Sequence, residues 1–140
     1  MNLERNKLVY RNFIAEVFNN GRLDLLESFL DPSYINHDAP PGTPAGIEGV
    51  RQIVTMFRAA FPNLRVSIED QVAEGDKVCS LVTIGGDHKG RIFGIPPTGK
   101  TVVMSGITMV RIVNDRIMES WVKNDVMGLV NQLHAVRRSA

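Results

Sequence analysis

The hydrophobic period of the chain changes from 3.6 residues to two at Leu64, and few folds can use both halves of such a sequence. Before that point, apolar residues recur at helical spacing. Leu8, Val9, Phe13, Val17 and Phe18 form one stripe between Leu3 and Asn19, and Val50, Ile53, Val54, Phe57, Ala60 and Phe61 form another between Glu48 and Phe61. After it, Leu64, Val66 and Ile68 alternate with Arg65, Ser67 and Glu69, the signature of a strand with one buried face. Further strands are expected over about Val78–His88, Thr101–Val113 and Ile117–Asp125. Turns are expected at Glu74-Gly75-Asp76-Lys77 and Asn114-Asp115.

Breakers complete the outline. Asn19-Asn20-Gly21 stops the first helix, because Asn and Gly tolerate the left-handed conformation. A shorter helix is expected over Leu23–Leu30, ended by Asp31-Pro32. Tyr34-Ile35-Asn36-His37 reads as a short strand. Asp38 to Gly46, with three prolines and two glycines, reads as a loop. An amphipathic segment, Val126 to Val136, and a basic tail, Arg137-Arg138, close the chain. Helix, helix, strand, helix and a four-strand meander predict an α+β fold in one domain spanning residues 1–140. Its curved antiparallel sheet would carry three helices on the concave face, a cone enclosing a pocket.

Charge and composition restrict the partners. A formal net charge of +1 creates no field that would draw the chain to nucleic acid or an anionic membrane. No apolar run approaches the roughly 20 residues of a membrane span, and the charged N-terminus is unlike a signal peptide. Cys79 is the single cysteine, so no internal disulfide forms, and a cytoplasmic setting is expected. The second face of the strands still carries Val, Ile and Met, as in Val102-Val103-Met104, which predicts a homodimer through the sheet.

Several segments together resemble the SnoaL-like polyketide cyclase family, of the nuclear-transport-factor-2-like superfamily. They are Phe18–Asp24, Tyr34–Asp38, Phe57–Leu64, Glu74–Val78, Phe93–Lys100 and Glu119–Asp125, in order from about Leu8 to Leu133. The resemblance implies the same cone fold. It also implies a small apolar, carbonyl-bearing substrate and an aldol-type cyclisation, isomerisation or related lyase chemistry that needs neither metal nor organic cofactor. Non-catalytic binding or dimerisation modules share the fold. The family's acid/base is an aspartate near the end of the last strand, and the matching position here is Asp125.

The residues themselves support more than one role. Asp125 follows Trp121 by four, so both share a strand face, and an aromatic wall beside a carboxylate suits a ligand pocket. Asp125 equally suits the N-cap of the segment beginning Val126-Met127-Gly128. Lys123 shares that parity, which places it at a rim if the face is a pocket. His37 and His88 each end a strand near the expected mouth, where a histidine either orients a substrate oxygen or bonds to backbone in a turn. Their separation in sequence, with no helical His spacing, gives a metal site only weak support. Phe13, Phe57, Phe93 and Met104 are expected to line the pocket with Trp121, and Tyr34, Asn36 and Asn124 to supply hydrogen bonds. Glu119 shares the parity of Trp121 and suits either a second pocket acid or, the favoured reading, an outward pairing with a neighbouring-strand cation. Gly94-Ile95-Pro96-Pro97-Thr98-Gly99-Lys100 lacks the backbone donors of a phosphate cradle and reads as a rigid hairpin loop at the mouth.

Overall fold

In the computed structural model, which describes residues 2–135, the chain begins with helix α1 (Leu3–Phe13). Asn2 caps it by accepting from the Arg5 N–H at 3.0 Å. The helix widens into a π-helical turn, Ile14–Asn19. Its buried face is Asn6, Tyr10, Phe13, Ile14 and Val17, whereas Leu8 is 54% exposed. Leu8 stands five positions from Phe13, about 140° round the helix at roughly 100° per residue, so it cannot share that face. Tyr10 takes the place expected of it.

Gly21 then turns the chain at φ 69°, and a Cβ there would lie 2.8 Å from the Arg58 guanidinium. That guanidinium donates to the carbonyls of Phe18 and Asn19, at 2.7 and 2.9 Å, closing the end of the π turn. The expected second helix is shorter: one 3₁₀ turn, Leu23–Leu25, and one α turn, α2 (Leu26–Phe29). Strand β1 (Leu30–Asn36) follows at once. Asp31-Pro32 lies inside this strand rather than ending a helix, which an edge strand permits because proline donates to no ladder. Helix α3 (Ile47–Ala60) buries Val50, Val54 and Ala60.

Four further strands are β2 (Arg65–Glu74), β3 (Lys77–Asp87), β4 (Thr101–Val113) and β5 (Arg116–Asn124). The sheet runs β1-β5-β4-β3-β2. It is a curved, unclosed α+β sheet. The meander is antiparallel throughout, and β1 joins its edge parallel to β5, with Ile35 beside Glu119 and Asn36 beside Ser120. On β4, Val102, Met104, Gly106, Thr108, Val110 and Ile112 are buried while the residues between them are exposed or half-buried. α1, the π turn and α3 cover the buried face.

Helix α4 (Val126–His134) buries Leu129 and Leu133. Its Gln132 amide bonds to both the N–H and the C=O of Val103, at 3.0 and 2.7 Å. The helix thus satisfies the edge of β4 that β5 is too short to pair. His134 is exposed; Val136 and the basic pair Arg137-Arg138 lie outside the described residues. No helix among the described residues is long and apolar enough to cross a membrane.

Leu26 is fully buried. Leu26→Ala is expected to lower unfolding free energy by about 2–5 kcal/mol in denaturant titration, while Leu8→Ala changes it by less than about 0.5 kcal/mol. A comparable loss at Leu8 would contradict the observed helix face.

Candidate functional site

Between the helices and the concave sheet lies a cavity of about 440 Å³. Its wall is mainly apolar. Phe13 comes from α1, Phe57 from α3, Met104 from β4 and Phe93 from the loop before β4. Phe93 packs edge-on against Phe57, with ring centroids 6.4 Å apart. It holds φ at 49°, within the hairpin closed by the Ile92–Ile95 bridge. Tyr34, Asn36 and Asn124 also stand on the wall.

Hydroxyl groups interrupt the apolar surface. Tyr34 Oη bonds Ser120 Oγ across the β1–β5 pairing, and Tyr10 and Thr108 both stand on the wall. Burial pushes the Tyr10 hydroxyl up to about 12 and raises that of Tyr34, because the phenolate would lose its hydration. Both therefore remain neutral, able to donate to a ligand oxygen.

A polar cluster marks another part of the wall: Asn36, Asp38, Lys123 and Asn124. Asp38 Oδ2 accepts from the Val122 N–H at 2.8 Å and Oδ1 accepts from Lys123 Nζ at 2.6 Å. The Asp38 N–H donates to Asn36 Oδ1 at 3.0 Å. The Lys123 bond and then the Val122 N–H hold the Asp38 carboxyl below the usual range. Asn124 Oδ1 is buried without a partner, and only a glycine at the facing position, Gly106, leaves it room.

The expected acid/base residues and the aromatic wall are elsewhere. The β5 positions on the cavity are Ile117, Ser120, Val122 and Asn124, with Lys123 at its exposed rim. Trp121 has the opposite parity and stacks on His37 outside the cavity, with centroids 4.8 Å apart and planes 10° apart. His37 Nε2 bonds Glu119 Oε1 at 3.0 Å, and Arg111 Nε donates to Glu119 Oε2 at 2.5 Å. Arg111 and then His37 hold the Glu119 carboxyl low. Asp125 is exposed and accepts from the Gly128 N–H at 3.0 Å, the N-cap of α4. The shared parity of Trp121 and Asp125 was legible; the face it selects is the outer one, and Lys123 stands at the rim of the cavity.

His88 is fully buried but away from the cavity wall. Its Nδ1 accepts from the Thr98 N–H at 3.1 Å, while its backbone bonds Lys100 O and Gly99 N at 2.8 and 2.9 Å. It fastens the loop that carries Phe93. Sequence reasoning did not weigh Tyr10, Thr108, Ser120 or Asp38. Asp38 had two usable signals, its place directly after His37 and its membership of the Tyr34–Asp38 segment that carries the family resemblance.

Comparison with known proteins identifies relatives of this chain and of its fold. The family model described as SnoaL-like polyketide cyclase matches residues 8–133. The chain is 29% identical over 122 residues to nogalonic acid methyl ester cyclase of Streptomyces nogalater, covering 86% of this chain and 91% of that protein. It is 28% identical over 123 residues to aklanonic acid methyl ester cyclase DnrD of Streptomyces peucetius, covering 86% and 85%. The structure of TsrD from Streptomyces laurentii superposes with a TM-score of 0.87 at 28% identity, covering 97% of this chain and 99% of that one.

Because asparagine caps helices as well as aspartate, Asp125→Asn should leave thermal stability unchanged, and Asp125→Ala should cost about 1 kcal/mol. Equal losses in the two variants, measured by thermal unfolding, would refute the capping role.

Proposed function

The chain belongs to the SnoaL-like polyketide cyclase family, and from that premise we propose that its cavity takes up a small, mostly apolar, carbonyl-bearing molecule and carries out cofactor-free proton-transfer chemistry on it. Aldol-type ring closure is the reaction that fits best. One observation carries this reading: an apolar cavity of about 440 Å³ holds two neutral tyrosine hydroxyls, Tyr10 and Tyr34, the second paired with Ser120. Such groups hydrogen-bond a carbonyl oxygen, and the bond strengthens as negative charge develops there. Apolar surroundings strengthen it further. Ring closure moves one proton and transfers no electrons to or from the molecule, so it requires no redox partner.

The relatives' names supply test compounds. Incubation with aklanonic or nogalonic acid methyl ester, followed by chromatography and mass spectrometry, is expected to yield a product of unchanged mass and altered retention. Tyr34→Phe should lower turnover by about 10²–10³, as removal of an oxyanion donor does elsewhere. Turnover of such an ester undiminished in Tyr34→Phe would remove this hydroxyl from the mechanism. A second reading, a binding module without turnover, draws on the solvent-facing position of Asp125. Ester binding with no conversion would favour it.

The helix-free face of the sheet supports association with a second copy of the chain. Val72, Cys79, Met109 and Trp121 are register neighbours in a row across four strands. Leu81, Val103 and Ile107 beside them are 44–53% exposed. Light scattering at micromolar concentration should give twice the chain mass, and Ile107→Lys should return it to the monomer. A wild-type monomer would overturn the association.

A further inference from the structure

A cavity that moves a proton needs a group to take it, and strand β5 offers no carboxylate: its wall positions are Ile117, Ser120, Val122, Asn124 and Lys123, the last a cation paired to Asp38. Among the described residues, the carboxylate on the cavity wall is that of Asp38. We propose that Asp38 is the catalytic acid/base of this cavity, an inference that rests on the reading of the cavity as a carbonyl-compound site.

Asp38 is held in place from several directions. It follows β1 by two residues, where the chain is fastened to β5 by the His37 N–H to Ser120 O bond of 2.9 Å. Its Oδ2 is fixed by the Val122 N–H, its Oδ1 by Lys123 Nζ, and its own N–H by Asn36. A carboxylate offers about four acceptor sites, so these bonds leave sites open for a ligand proton. Its side chain is 22% exposed, whereas that of Lys123 is 77% exposed, so the lysine reaches the carboxylate from the solvent side. Lys123 is thus a positioning residue: it keeps Asp38 ionised and aimed. Lowered basicity suits substrates whose C–H bond is already acidified by an adjacent carbonyl.

The step balances with the groups present. Asp38 takes the proton from the carbon next to a ligand carbonyl, and the C–H electron pair becomes an enolate, its oxygen facing the tyrosine hydroxyls. The enolate carbon bonds to a second carbonyl carbon of the same molecule, whose C=O electron pair becomes an alkoxide. Protonated Asp38 returns its proton there. One C–C bond is formed and the carboxylate is regenerated.

The first half of this sequence can be tested without the native substrate. The probe is 1-tetralone, a bicyclic aryl ketone, in D₂O. NMR follows deuterium exchange at the carbon beside its carbonyl, and saturation transfer reports binding. Wild-type protein is expected to bind it and accelerate exchange. Asp38→Asn, which can still accept from the Val122 N–H, should bind within about twofold of wild type yet lose exchange by about 10²–10⁴. Asp125→Asn should exchange as wild type does. Lys123→Met leaves the Val122 bond intact and removes the cation beside Asp38. It should therefore move the acid limb of the exchange profile to higher pH. The remaining charge that acts on Asp38 is His37, which stays in place. Exchange undiminished in Asp38→Asn, or an acid limb unmoved in Lys123→Met, would overturn the assignment and leave the cavity reading standing. Binding without exchange by wild type would also overturn it. Absence of binding would overturn the cavity reading itself. If Asp38→Asn fails to fold, as shown by circular dichroism, the Lys123→Met profile alone decides.

Discussion

Almost everything distinctive about this molecule depends on the parallel pairing of β1 with β5. Without it, residues 34–38 would be a connection between helices, with no fixed relation to the sheet. With it, Tyr34 meets Ser120, His37 meets Glu119 and Trp121, and Asp38 meets Val122 and Lys123. A parallel neighbour needs a crossover, and helix α3 together with strands β2 to β4 lies between these two strands. The cavity lies between this crossover and the N-terminal helix, which supplies Tyr10 and Phe13 to its wall.

The alternation of β5 then sorts chemistry between two faces. Ser120, Val122 and Asn124 turn toward the cavity, while Glu119 and Trp121 meet His37 and Arg111 on the other side. The outer cluster is well paired and contains the residue types expected of an active centre, a histidine, a carboxylate and an indole. Its exposure to water and its distance from the enclosed space make it a surface network. Surface ion pairs of this kind contribute little to stability, and their roles are in positioning. The inner face holds fewer polar groups, but these are desolvated, where each counts for more.

Much of the architecture was legible. The change of period at Leu64, the stops at Gly21 and Pro62, and the turns at Gly75 and Asn114-Asp115 act through local backbone preference and side-chain alternation. Such signals survive in a linear reading. Leu8 was misplaced because a long apolar residue resembles a core residue until the helix phase is known. The first strand was begun four residues late, at Tyr34 instead of Leu30, because an internal proline reads as a breaker when the strand's partner is unknown. Phe13, Phe57, Phe93, Met104, Tyr34, Asn36 and Asn124 all stand on the cavity wall. The apolar ones among them could be chosen by residue type alone.

The candidate acid/base is a different kind of question. Sequence determined that Trp121 and Asp125 share a face, because strand parity is a local property of the backbone. It also determined that an aspartate before Val126-Met127-Gly128 would cap a helix well. Which face looks into the cone was decided only when β5 paired with β1 and β4 and the helices chose a side. That choice carried Asp125 out to solvent and brought Asp38, 87 positions away, to the wall. Burial and proximity between distant segments are properties of the packed chain, and they decide which of several chemically able side chains can act.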